Sequence, residues 1–131
     1  MNNKLDRILA EISAGELIDK ITILEIKKAK ISNTDKLNEI EKELSSLNKT
    51  MKKFIPNENL ISNFKNDLKE INLKLWHIED EKRISEKNND FGNKFIELAR
   101  NVYKFNDERA KIKLSINITL GSNIKEVKSY E

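Results

Sequence analysis

Arginine is scarce in this 131-residue chain, and Arg7, Arg83, Arg100 and Arg109 stand among 21 lysines. Lysine, asparagine and isoleucine supply 56 of the 131 residues, the composition of coding DNA rich in A and T. An arginine held against that drift points to a position that needs a planar fork, because lysine cannot grip a carboxylate or phosphate through two parallel N–H bonds. In LWHIEDEKR, Trp76, Glu79, Asp80 and Arg83 recur at steps of three and four, which places them on one side of a helix. With Arg100 and Tyr103 opposite, the group offers an indole, a phenol, two guanidinia and two carboxylates. It could hold a phosphate or carboxylate on Arg83 or Arg100 while Trp76 stacks on a ring. The plainer reading, which we favour, puts Trp76 at the edge of the core with Arg100 across its face.

Other chemistries find less support. Glu16 and Asp19 form an ExxD pair, half of the carboxylate set with which helical nucleotide pyrophosphatases hold magnesium, but no ExxE partner occurs and one pair supplies too few oxygen ligands. The chain has no cysteine, which removes thiol catalysis, disulfides and thiolate metal sites, and its single histidine, His77, excludes a multi-histidine site. There is no P-loop and no GxGxxG. No metal or cofactor is therefore expected. The net charge is only +3 and the lysines are dispersed, so the pI near 9.0 does not make this a nucleic-acid-binding protein. No apolar run approaches the roughly 20 residues of a membrane span, and acids interrupt the first residues where a signal peptide needs an apolar stretch. The expectation is a cytoplasmic protein.

The elements that must position these residues are helical. Three glycines and one proline are too few for a multi-stranded domain. Ser13 with Glu16 three residues on is a capping box opening a helix over 14–31, with a stripe of Leu17, Ile21, Leu24 and Ile31. Leu37, Ile40, Leu44, Leu47, Met51 and Phe54 mark a second helix over 34–54 in coiled-coil-like steps. Pro56 restarts the chain, and Ile61, Phe64, Leu68, Ile71, Leu75 and Ile78 mark a third over 57–86. Phe95, Leu98, Val102, Phe105, Ile112 and Ile116 mark a fourth over 91–119, ended by Gly121 and followed by a tail over 122–131. Short connections make this an all-α, antiparallel, up-down-up-down four-helix bundle, one domain with two longer C-terminal helices. The flanks, Arg7 to Ile12 and Asn123 to Tyr130, lie at one end and either pair as a short two-stranded ribbon or remain frayed.

Helix four carries a second, half-polar stripe of Ile96, Ala99, Tyr103, Asn106, Ala110, Lys113 and Asn117, while Arg109 falls on its apolar stripe, where a charge needs a partner. Aligning the helices through their turns sets Trp76 beside Ala99 and Arg100, Asn72 beside Tyr103, and Lys27 near Trp76. It also sets Glu16 near Ala110 and Lys113, and Asp19 and Lys20 level with Asn106, Asp107 and Arg109. Asp19 with Arg109 and Lys20 with Asp107 are the expected ion pairs of a polar seam between helices one and four. A structural role, fixing helix register, is preferred to a ligand site.

SAGELIDKITILEIK at 13–27, LWHIED at 75–80, FGNKFIELARNVYKFNDERAKIK at 91–113 and INITLGSNIKEVKSY at 116–130 together resemble a family of short, mostly bacterial proteins catalogued as domain of unknown function 6165. The resemblance implies no activity and no catalytic residue. It does imply that the family's recurrent residues match Glu16, Asp19, Lys20, Trp76, Glu79, Asp80, Arg100, Tyr103, Asn106, Asp107 and Arg109. The resemblance also implies a second basic residue where this chain has Leu114, and relatives that occur near surface-polysaccharide genes. The resulting expectation is a small non-enzymatic accessory or protein-interaction bundle linked to glycan or envelope biosynthesis, with a protein partner or a second copy. The alternative is a polar seam that binds, or acts on, a small anion such as a phosphorylated sugar or nucleotide.

Overall fold

The protein is described by a computed structural model covering residues 4–129. Its elements are α1 (Ala14–Lys30), α2 (Thr34–Phe54), a 3₁₀ turn (Glu58–Leu60), α3 (Ser62–Lys87) and α4 (Asn93–Leu120). Ser13 caps α1 by accepting from the Glu16 N–H at 3.0 Å, as its position demands. The return half of the box is missing, because the Glu16 carboxylate turns to Lys113 instead. Asn33 caps α2 in the same way through the Lys36 N–H. At the far end Gly121 takes the left-handed conformation, and the Ser122 N–H closes on the Asn117 carbonyl at 2.8 Å. The third helix begins at Ser62 rather than 57, because Pro56 and Asn57 lead into the 3₁₀ turn, which Asn57 caps.

The four helices form an all-helical bundle centred on α1. This helix packs against α2, α3 and α4, and α3 packs on α4, whereas α2 has α1 as its principal neighbour. The reason is visible in ELIDKITILEIK, where Leu17, Ile18, Ile21, Leu24 and Ile26 are all buried: a helix apolar on most of its circumference is stable only when surrounded. Its core partners are Ile40, Leu44, Met51 and Ile55 from α2 and its end, Ile61 just before α3 and Leu68 within it, and Ile116 from α4. Phe54, expected in the stripe of α2, is 69% exposed. The helix ends there, and Ile55 enters the core in its place.

No strand occurs among the described residues, so the two flanks do not form a ribbon. They are tied by side chains: the Ala14 N–H donates to Ser122 Oγ at 3.1 Å and Asn123 Nδ2 donates to Glu11 at 2.8 Å. Tyr130, placed in the ribbon by the sequence, lies outside the described residues. Among the described residues no helix is long and apolar enough to cross a membrane.

Candidate functional site

The polar seam forms where α4 runs back along α1. At Gly15 the two backbones come so close that an added Cβ would meet the Lys113 carbonyl oxygen and stand 3.0 Å from Asn117 Oδ1. Only glycine permits that approach. The Gly15 N–H, one of the donors left open at a helix start, donates to Asn117 Oδ1 at 2.6 Å.

One turn along, Asp19 is fully buried and accepts hydrogen bonds from Arg109 and Asn72. Arg109 Nε reaches Oδ1 and Oδ2 at 3.0 and 3.2 Å, and Arg109 Nη2 reaches Oδ2 at 2.6 Å. Asn72 Nδ2 donates to Oδ1 at 2.9 Å, and Lys113 Nζ stands 3.8 Å from Oδ2. Hydrogen bonding to Asp19 raises the Arg109 pKa above its ordinary value; burial opposes this, and the Asp19 and Glu16 charges add to it. Arg109 therefore stays charged at every accessible pH. Lys113 makes its close contact with Glu16, at 2.5 Å. The expected levels of Asp19 with Arg109 and of Glu16 with Lys113 are the ones the helices adopt.

The expected pair of Lys20 with Asp107 does not form. Lys20 lies half-exposed toward Glu16 at 3.8 Å, its neighbour one turn earlier on the same helix, and Asp107 is held by Lys128 at 2.7 Å. The tail after α4 thus supplies the cation that the sequence assigned to α1. Asn106 joins the seam only at its edge, accepting from Arg109 Nη1 at 3.4 Å.

Arg100 and Tyr103 stay apart, both exposed. The stripe from Ile96 to Tyr103 faces solvent, and its continuation from Asn106 to Asn117 faces α1. The other cluster lines a groove of about 240 Å³ between α1 and α3, with Ile23, Ile26 and Leu75 around Trp76, and Asn72, Glu79, Asp80, Arg83 and Arg109 at its edges. Its charges are locally paired: Glu79 with Lys82 at 3.5 Å, and Asp80 with the exposed Arg83 at 3.9 Å.

Sequence reasoning misses Thr22 and Ser13 as members of the seam and sets Asn72 beside Tyr103 rather than against Asp19. Thr22 and Asn72 complete the surroundings of Asp19, Asn72 Nδ2 donating also to Thr22 Oγ1 at 2.9 Å. Ser13 Oγ donates to Glu126, which also accepts from Asn117 Nδ2 at 3.1 Å. Burial acts to raise the Glu126 pKa, but the hydrogen bonds from Ser13, its own backbone and Asn117, with the Lys113 charge, outweigh it and leave the carboxyl below its ordinary value. A depressed carboxyl stabilises the fold above the unfolded pKa of 4.5 and loses that contribution as pH falls through the folded value. Denaturation across a pH series should therefore find wild type more stable than Glu126→Gln above pH 4.5, with the gap closing below it. A gap that does not change with pH would show that the charge on Glu126 is not what docks the tail.

Among the described residues no group of three or more His, Cys, Asp or Glu side chains is placed to hold a metal ion. No curated protein and no solved structure matches the chain. A family model matches residues 8–131, nearly the whole length and every part of the seam, and the chain belongs to that family, a family of unknown function designated DUF6165.

Proposed function

We propose that the protein is a small non-enzymatic accessory bundle of the bacterial cytoplasm that works by binding another protein, in the glycan or envelope biosynthesis that the family resemblance suggests. The observation that supports this is how the seam uses its charges. Asp19 takes the fork of Arg109, Glu16 takes Lys113, and Asp107 takes Lys128. A site built for chemistry holds at least one acid, base or cation in reserve for its substrate. Here the strongest groups neutralise one another, which suits a device that fixes helix register. The test is a thermal melt against a panel of phosphorylated sugars and nucleotides, in wild type, Trp76→Ala and Arg109→Lys. No ligand should raise the melting temperature. A ligand that does, with its effect lost in both variants, overturns the accessory reading.

One observation favours the second reading, a small anionic ligand. Asn72 lines the groove beside Trp76, and with its N–H groups given to Asp19 and Thr22 its Oδ1 accepts no hydrogen bond from the described residues. Arg109 lines the same groove, and its Nη1 makes only a long bond to Asn106 at 3.4 Å. An anion with a ring for Trp76 and a donor for Asn72 would use all three, and the same melts would reveal it.

A further inference from the structure

Residues 5–12 carry an apolar set that the bundle leaves uncovered. Leu5, Ile8 and Leu9 are 76%, 81% and 88% exposed, and Ile12 is 39% exposed. The segment lies outside any helix, and among the described residues it takes part in no backbone hydrogen bond. Extended backbone would send Leu5 and Leu9 to one side and Ile8 and Ile12 to the other. A helix gathers all four, since positions 5, 8, 9 and 12 form the single stripe of an amphipathic helix. On that helix Asp6 and Glu11 border the stripe on either side, and Arg7 lies behind it. Eight residues cannot sustain a helix in water without a surface to pack on. The pattern is that of a segment that folds on docking.

A matching surface lies at the same end of the bundle. A groove of about 500 Å³ is walled by Leu17, Phe54, Ile55 and Leu120, with residues 10–14 along its rim. Ser13, which caps α1, is part of that rim, and a helix over 5–12 joins it with no linker on which to turn back onto the floor of its own groove. Lys53, in the last turn of α2, stands beside the groove, its ammonium 5.3 Å from the centre of the exposed Phe54 ring. An apolar floor edged by this cation complements an apolar stripe edged by Asp6 and Glu11. The bond that Glu11 accepts from Asn123 is an exposed one, open to exchange.

We propose that this groove receives residues 5–12 of a second copy of the chain, each copy's segment folding as a helix in the other's groove about a two-fold axis. The proposal rests on the interaction reading and names the second copy as the partner. Sedimentation of the full chain from low micromolar concentration upward should show a dimer, with hydrogen-exchange protection of amides 6–12 growing in step with dimer. The Ile8→Asp, Leu9→Asp double variant should keep the melting temperature of the bundle, since both side chains are exposed, yet weaken the dimer at least about a hundredfold. Asp6→Lys and Lys53→Glu should each weaken it, and together restore it. A chain that is monomeric at every concentration, or a dimer indifferent to Ile8→Asp and Leu9→Asp, overturns the exchange. So does helix formation by 5–12 on anionic phosphatidylserine vesicles without dimer, which would make the occupant a membrane. Each of these results leaves untouched the ligand-panel melts on which the interaction reading stands.

Discussion

Replacing Arg109 with alanine should destabilise the protein by roughly 3 to 5 kcal/mol, the cost of leaving a buried carboxylate without its counter-ion. Asp19 has a side chain only 1% exposed and receives three hydrogen bonds from this one guanidinium. Without them, Asn72 still donates, but Lys113 at 3.8 Å is committed to Glu16 and would have to abandon it. Asp19→Ala should cost a similar amount by stranding Arg109 and leaving Asn72 with Thr22 alone as its partner. The Asp19→Ala, Arg109→Ala double variant should cost clearly less than the two singles together, because no uncompensated charge remains. Denaturant unfolding of the four proteins measures the coupling directly. Additive losses would mean that the two groups do not act as a pair. An Arg109→Ala protein as stable as wild type would mean that the charge is held there for a ligand, since a binding site can keep charge at a cost to stability that its removal relieves.

That pair is legible in the sequence because helix periodicity and short turns fix levels to within about one turn, and a 90-residue separation along the chain does not blur a level. Direction around the helix axis is less legible. The regular steps in ITILEIK suggest a stripe, yet Ile18 and Ile26 make α1 apolar on further sides, and the consequence is a central helix with three neighbours. Spacing puts Lys20 at the right level but with the wrong partner, because Glu16 stands one turn away on the same face and Lys128 competes for Asp107. Nothing in the spacing of the tail announces Lys128 or Glu126; their contacts depend on how the chain leaves the Gly121 cap. Arg100 and Tyr103 stay outside the seam: the stripe they share with Asn106 is continuous in sequence, but its stretch from Ile96 to Tyr103 is exposed. Gly15 is the signal that hydrophobic spacing overlooks. A glycine in the first turn of a helix otherwise rich in good formers weakens it unless a second backbone needs the space, as α4 does here.

The deletion of buried carbon in α3 tests the layout in which α1 is surrounded. Leu68 is wholly buried in the cluster that joins α3 to Ile18 and Ile21 of α1, whereas Ile71 is buried outside that cluster. Leu68→Ala should cost about 3 to 5 kcal/mol, because the cavity opens in the middle of a core walled by three helices that cannot all move inward. Ile71→Ala should cost less, about 2 to 3 kcal/mol, since its site can partly collapse at the edge of the main cluster. The exposed Lys49→Ala should stay within about 0.5 kcal/mol. The order is the informative part of the measurement. A square bundle with four equivalent layers would give Leu68 and Ile71 similar costs, as successive members of one stripe. A bundle organised around α1 separates them, because only the residue that reaches α1 lies in the core that all the helices share. Urea denaturation of the three variants decides between these layouts, and equal losses at 68 and 71 would reject a core centred on α1.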